Sequence, residues 1–170
     1  MTEKCMKKIL AILAISLAPL AGHAQFAIEG GLARLSVDDF NADFNATYIT
    51  GIYTTSSGPN LKNSIEITLG RGNSSEQFNG SEIELEQYYG VTYRAAFGFS
   101  NGAYLFFSPS YARRELSFAT PAGSDSDTSP WEFGFGGGAG YEVTDALSVE
   151  AQIDSISGFN LFSVGARYGF

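Results

Sequence analysis

The sequence predicts an all-β fold, specifically an eight-stranded antiparallel up-and-down transmembrane β-barrel. Three observations support this prediction. Apolar and non-apolar residues alternate in a series of segments, which is the pattern of strands with two different faces. After the N-terminal region, no apolar run approaches the roughly 18 residues that a membrane helix needs. The connections between segments are long and polar on one side and mostly short on the other, as in transmembrane β-barrels.

The N-terminal residues 1–24 have the layout of an export signal. Three lysines precede an apolar stretch at 9–20, and small residues at 22–24 offer a cleavage site. The apolar stretch is too short to cross a bilayer as a helix. We therefore expect a cleaved signal peptide at 1–24 and a single β-barrel domain at 25–170.

Cleavage at this site changes the composition in ways that exclude several functions. It removes Cys5 and His23, the only Cys and the only His, so disulfides, thiolate ligands and His-dependent catalysis are excluded. With three Lys and one Glu also removed, 7 Lys and Arg remain against 17 Asp and Glu, a net charge of −10. An acidic chain without a basic stripe does not suit nucleic acid. We expect no cofactor and no catalytic site.

Eight strands are predicted within the barrel domain. In chain order they are 26–33, 46–54, 65–70, 83–97, 105–114, 131–143, 147–154 and 162–170. Strand 147–154 is the clearest, because every second residue from Leu147 to Ile153 is apolar. The facing of 46–54 is ambiguous, and Pro109 weakens 105–114 because proline cannot donate to the ladder. In 83–97 the alternation puts Ile83 and Leu85 on the apolar face.

The predicted connections are asymmetric. The long polar ones are 36–45, 71–81 and 117–130, and the short ones are 99–102 and 144–146. Segment 55–63 is longer, and segment 155–160 shorter, than this scheme expects. The long connections are expected to be outer loops that could bind a surface ligand.

The same alternation could describe a soluble lipocalin-like barrel with its apolar face inward. Glycine argues against this, because the non-apolar faces are rich in glycine, which suits a crowded interior better than a soluble surface. Aromatic residues also lie near strand ends, as in interfacial girdles. They include Trp131, Tyr141, Tyr168 and Phe170. In lipid, a closed barrel satisfies every backbone hydrogen bond, so we expect the apolar faces to point outward.

The C-terminal segment Gly165-Ala166-Arg167-Tyr168-Gly169-Phe170 resembles the terminal signal of bacterial outer membrane proteins. Residues 138–150 are similar to a late hairpin of the small barrels represented by the outer membrane protein A transmembrane domain, OmpX and the opacity proteins. The resemblance implies a Gram-negative outer membrane location, contact with lipid and lipopolysaccharide, and insertion by the outer membrane assembly machinery. Gly165, Tyr168 and Phe170 would form the assembly signal. We also expect a monomer without a further periplasmic domain.

Charged residues on the non-apolar faces are expected to meet in one narrow lumen. They are Glu29, Glu66, Glu84, Glu86, Arg94, Arg114, Glu132, Glu142, Glu150, Asp154 and Arg167. Paired carboxylates could act as general acid and base. A structural network is the preferred interpretation, because a barrel of this size encloses only side chains and its buried charges must pair. Any conducting path would favour cations.

Two other patterns could suggest ligand sites. The glycine run 133–140 lacks the spacing of a phosphate-binding loop and lies in a strand, so close packing is the better interpretation. Carboxylates on the outer loops could bind Ca²⁺, although none has EF-hand spacing, and solvated charge is preferred. These candidates are Asp38, Asp39, Asn41 and Asp43 in one loop, and Asp125 and Asp127 in another.

Three function classes remain compatible with the sequence. The first is a structural or surface-interaction protein with exposed loops, the second a narrow cation-favouring pore, and the third a lipid-modifying outer membrane enzyme. The third ranks last because the small barrel enzymes that resemble this chain in fold depend on His, which residues 25–170 lack.

Overall fold

The computed structural model describes residues 26–37, 42–78, 81–120 and 123–170. The predicted signal peptide, 1–24, lies outside the described residues and stays a prediction.

The described chain is built from ten β-strands. They are β1 (Phe26–Val37), β2 (Ala42–Ser57), β3 (Leu61–Gly72), β4 (Ser75–Phe78), β5 (Ser81–Gly98), β6 (Ala103–Thr120), β7 (Gly123–Thr128), β8 (Glu132–Glu142), β9 (Leu147–Ile156) and β10 (Phe159–Gly169). Eight of them form the barrel wall in the order β1-β2-β3-β5-β6-β8-β9-β10, with every pairing antiparallel. The short strands β4 and β7 pair only with β5 and β6, where they continue the ladders of β3 and β8 beyond the ends of those strands. The predicted eight-stranded up-and-down barrel is confirmed.

The barrel closes where the first strand meets the last. β1 pairs with β10 along its length, from Ala27 opposite Gly169 to Val37 opposite Phe159. Closure leaves no open edge in the described part of the wall, so backbone donors and acceptors are satisfied inside the sheet rather than by water.

The outward faces are apolar over the middle of the wall. The large hydrophobic residues on this face are between 38% and 67% exposed, with Leu32 the most exposed. Their rings contact one another: Phe107 and Phe135 stack at 5.9 Å between centroids, and Phe133 meets Phe135 edge-on at 4.7 Å. This band is the surface that lipid covers. No helix long and apolar enough to cross a membrane occurs among the described residues.

The polar connections are shorter than predicted because the strands continue through them. Most of the predicted loop 36–45 belongs to β1 and β2, the segment 71–81 contains β4, and the segment 117–130 contains β7. On the other side of the barrel, 55–63 shrinks to a turn at 58–60. Beyond the membrane the inward residues, such as Leu35 and Phe44, are apolar and β7 is exposed throughout, so the membrane pattern of polar inward and apolar outward residues ends there although the ladder persists.

A β-bulge in β5 reverses the facing of its first residues. Its pairing with β6 shifts register between Leu85 and Gln87. As a result Ile83 and Leu85 are buried, at 1% and 0% exposure, on the same side as Tyr88. The prediction that Glu84 and Glu86 face the lumen was wrong: both are exposed, because the extra residue at the bulge turns the strand over.

The register settles the facing of β2 and shows how β6 accommodates Pro109. In β2 the inward residues include Ala46, Thr50 and Ile52, all buried. In β6, Pro109 pairs with Phe135 of β8. The ladder with β5 is interrupted beside it, between the pairs Thr92–Ser110 and Ala95–Phe107. The strand therefore tolerates proline where one ladder is already open.

Candidate functional site

The lumen has three levels along the barrel axis. A vestibule opens at the end with the short turns, a layer of buried charges occupies the middle, and an apolar layer fills the end with the long connections. By the usual asymmetry of transmembrane barrels, the short turns face the periplasm and the apolar layer faces outward.

The middle level, called here the lumen network, is built on two arginines and three glutamates. Arg94 on β5 forms an ion pair with Glu150 and lies 3.1 Å from the Glu66 carboxylate. Arg167 on β10 reaches Glu29 at 2.9 Å, Glu66 at 2.9 Å and Glu150 at 3.0 Å. These five side chains form one connected cluster drawn from five strands.

Neutral groups complete the network. Tyr48 donates a hydrogen bond to Glu29 at 2.7 Å, and Tyr104 donates one to Glu150 at 2.6 Å. The amide of Gln152 donates to both oxygens of Asp154, at 2.8 and 2.7 Å. Charge alone does not reveal these partners in the sequence. In the sequence they can be recognised only as residues that carry a polar end group at an inward-facing position of an alternating strand.

This arrangement is suited to holding charges rather than to catalysis. Glu29, Glu66, Arg94 and Glu150 are only 2–5% exposed, and each carboxylate already contacts at least one guanidinium. A general base needs a free lone pair facing a substrate, whereas these oxygens face arginine and tyrosine. Within the described ranges no group of three or more His, Cys, Asp or Glu is arranged to hold a metal ion.

The other predicted lumen residues lie apart from the cluster. Arg114 lies 3.8 Å from Glu132 near the outer end, and its guanidinium also lies 5.2 Å from the ring centre of Phe159. Glu142 binds Lys62 at 2.9 Å on the exposed rim of the vestibule. The predicted residues therefore form one central cluster and two separate pairs. Asp154 is joined to the cluster through Gln152, whose amide oxygen accepts a hydrogen bond from Arg94 at 2.9 Å.

Inward glycines make room for the large inward rings. A β-carbon at Gly70 would collide with the ring of Tyr88, one at Gly138 with Phe106, and one at Gly140 with Tyr104. The glycines of β8 therefore leave space for neighbouring aromatic rings, in agreement with the close packing expected from their position within a strand.

The outer level, called here the apolar plug, consists of buried hydrophobic residues. Its fully buried members are Leu35, Val37, Phe44, Ile83, Leu85, Leu116 and Phe159. They form one continuous cluster that also includes Ile156 and Leu161. The plug separates the lumen network from the outer solvent.

The vestibule is an open cavity of about 750 Å³. Its wall is rich in hydroxyl and amide groups, among them Thr54, Ser56, Asn60, Ser100, Thr144 and Ser148. Arg94 and Arg167 form its floor.

The calcium candidates gain no support. Asp38, Asp39 and Asn41 lie outside the described residues. Asp43 accepts a hydrogen bond from Arg34 at 2.5 Å and another from Ser36. Asp125 and Asp127 lie on β7, where every residue is exposed.

A protruding sheet extends beyond the barrel wall at the outer end. We define it as β4, residues 81–86 of β5, residues 115–120 of β6, and β7. In the part of the chain that the structure describes, β7 pairs only with β6, so its other edge is unpaired. The sheet has no Lys or Arg and seven acidic residues, which are Glu76, Glu82, Glu84, Glu86, Glu115, Asp125 and Asp127.

The predicted assembly signal lies on and beyond β10. Tyr168 and Phe170 are about half exposed, and their rings meet edge-on at 5.4 Å. Gly165 faces inward, where a β-carbon would collide with the Tyr48 hydroxyl. The glycine thus has a packing role here, and the role in assembly stays a prediction.

Solved structures that share this fold include bacterial surface and outer membrane proteins. The attachment invasion locus protein Ail of Yersinia pestis matches with a TM-score of 0.62 and 16% identity, over 85% of this chain and 97% of that chain. It has also been solved in complex with the heparin analogue sucrose octasulfate. Neisserial surface protein A matches with a TM-score of 0.57 and 15% identity, over 86% of this chain and 97% of that chain. At these identities the likeness shows the fold alone.

The family follows from the sequence match. No curated protein sequence matches the chain. The profile of the family described as "Outer membrane protein beta-barrel domain" matches residues 9–170, nearly the whole chain. The chain therefore belongs to the outer membrane β-barrel domain family and is a transmembrane barrel of the Gram-negative outer membrane.

Proposed function

We propose that this barrel is a non-enzymatic surface-interaction protein whose protruding sheet binds a basic partner. The observation that supports this most is the unpaired edge of β7, an exposed strand with two aspartates at the outer end of the described chain. An unpaired edge can accept a further strand from another chain, and its side chains then select the partner.

The charge of the protruding sheet limits the kind of partner that it can bind. Seven acidic residues and no basic residue on the protruding sheet attract cationic segments and repel polyanions. Ail has been solved with a sulfated heparin analogue, so this chain is expected to differ from that relative in ligand charge. The partner we propose is an extended basic segment of a protein.

A binding assay with matched variants tests the proposal. The protein in phosphatidylcholine nanodiscs is titrated with an alternating Lys-Val peptide and, separately, with heparin. We expect the peptide to bind, with an affinity that falls as salt rises. The variant D125N/D127N should weaken binding about fivefold, since each lost charge removes about 0.5 kcal/mol. D145N, on a short turn at the opposite end, is the control.

Three results of this assay would contradict the proposal: heparin binding as tight as peptide binding, equal losses in D125N/D127N and D145N, or no peptide binding.

The apolar plug supports a closed barrel over the alternative of a narrow cation-favouring pore. A dry layer that includes Leu35, Phe44 and Phe159, each 0% exposed, offers no path for a hydrated ion. Reconstitution in planar bilayers should give no steady single-channel openings. Reproducible cation-selective steps would favour the pore.

The lipid-modifying enzyme is the least supported alternative. Residues 25–170 contain no His or Cys, and the buried carboxylates contact guanidinium groups. Mass analysis of lipid A from cells with and without the gene should show the same acyl pattern. A gene-dependent change would contradict the proposal.

A further inference from the structure

Arginines mark the outer border of the lipid-facing band. On β3 the outward residues Ile65, Ile67 and Leu69 are exposed and apolar, and Arg71 follows them. On β6 the outward residues Leu105, Phe107 and Tyr111 are likewise exposed, and Arg113 follows them. On β1, Arg34 follows Leu32. Each of these strands thus places a guanidinium one outward position above its last apolar residue.

The surroundings distinguish Arg113 from Arg34. Arg34 is neutralised by Asp43 at 2.5 Å. Arg113 has no ion pair within the part of the chain that the structure describes. Its guanidinium carbon lies 5.2 Å from the ring centre of Tyr89 and 5.4 Å from that of Trp131. Its Nε atom is buried without a hydrogen-bond partner.

The neighbouring groups define what can reach Arg113. Tyr89 is its direct partner across the β5–β6 ladder, and Trp131 stacks on Tyr111 at 5.5 Å between ring centres. Glu115 is the next outward residue above it, and among the described residues the two form no ion pair. The aromatic rings form the lower wall of the site, and its open side faces the level of the lipid headgroups.

We propose that Arg113, seated between Tyr89 and Trp131, binds the phosphate group of an amphiphile in the outer leaflet. An arginine at the edge of a hydrocarbon layer must exchange water for another anionic or polar partner, and its planar fork fits phosphate oxygens. The rings contact the hydrocarbon side of the same molecule. Arg71, exposed at the matching border of β3, would add positive charge nearby. This site is independent of any partner of the protruding sheet.

The lone tryptophan provides the measurement. Trp131 is the only Trp in the chain, so intrinsic emission reports on this site. Protein in uncharged detergent micelles is titrated with phosphatidic acid, with diacylglycerol as the matched amphiphile lacking phosphate, and with inorganic phosphate. Native mass spectrometry counts the retained lipid in parallel. We expect a saturable change in emission and one retained lipid with phosphatidic acid alone.

Variants then test the residue. R113Q should raise the phosphatidic acid midpoint at least tenfold, R113K should fall between R113Q and wild type, and R34Q should match wild type. A change in electrophoretic mobility on boiling in detergent verifies that each variant is folded. Equal midpoints for wild type and R113Q overturn the proposal, as does an equal response to diacylglycerol. Saturation by inorganic phosphate alone overturns the assignment to an amphiphile.

Discussion

The two halves of the lumen are filled in opposite ways by the same eight strands. The lower half holds two arginines against three glutamates, and the upper half holds the apolar plug. β1 shows both: Glu29 joins the network, and Leu35 and Val37, further along the same face, join the plug.

The change follows the solvent outside the wall. Where lipid surrounds the barrel, apolar residues face outward and polar ones are confined to the lumen. Above the border arginines, water surrounds the barrel, so the outward face becomes polar and the apolar residues turn inward, as in a soluble protein. β5 needs a bulge to make this change, because its own alternation would have kept Leu85 outside. One chain thus has the patterning of a membrane barrel below and of a soluble barrel above.

The largest expected effect comes from breaking the lower half. Arg94→Ala leaves Glu66 and Glu150 with one guanidinium fewer in a buried cluster, which should cost about 3–5 kcal/mol of unfolding free energy. Equilibrium guanidinium titration of the protein refolded in detergent measures it. A loss below about 1 kcal/mol would mean that water already screens the network.

Substitutions at two adjacent residues of β5 test whether the upper half of the lumen is filled by apolar side chains. Leu85→Ala should destabilise by about 2–5 kcal/mol, since it empties a fully buried position, and Glu84→Ala should change stability by less than about 0.5 kcal/mol. The same titration compares them. The reverse order would show that the bulge is absent and that Leu85 faces outward.

A smaller loss of stability is expected at an inward glycine that contacts an aromatic ring between the two halves of the lumen. Gly70→Ala forces a β-carbon against the ring of Tyr88, at a cost of about 1–3 kcal/mol. Gly51→Ala on the neighbouring strand is the control, because a β-carbon there would have nothing within 4 Å. Chemical denaturation of both variants gives the comparison, and equal losses would contradict the role of Gly70 in packing.

The smallest effect is expected at the wet rim of the vestibule. Lys62→Ala removes the ion pair with Glu142, whose partners are 61% and 47% exposed. An exposed pair contributes about 0–1 kcal/mol, so the unfolding midpoint should hardly move. A loss as large as that of Arg94→Ala would erase the distinction between buried and exposed pairs in this lumen.

Most of the membrane-embedded fold was predictable, and the upper barrel was not. Below the border arginines each strand has one uniform environment per face, so alternation identifies it, as in 147–154. Above the border the environments change within a strand. The segment 117–130 therefore resembles a loop in sequence although it contains β7, and alternation assigns Glu84 to the wrong face.

The composition of the lumen network was predictable, but its contacts were not. Charges on the non-apolar faces had to enter the lumen, which identified Arg94 and Arg167. Which carboxylate each one binds depends on the register of distant strands: Arg167 meets Glu29 across 138 residues of chain, and Lys62 meets Glu142 across 80. Local sequence carries no information on such pairs.

The pairing of β1 with β10 also constrains how the protein is made. Glu29 belongs to the first strand, and Arg167, which neutralises it, to the last. The seam therefore cannot form until both strands have been delivered, and contacts so distant in sequence form slowly. Closing the wall and cancelling the charge at Glu29 are a single event, so an unfinished chain has both an open edge and an uncompensated carboxylate. Such a chain is poorly suited to lipid, where an unpaired edge and an unpaired charge are both costly.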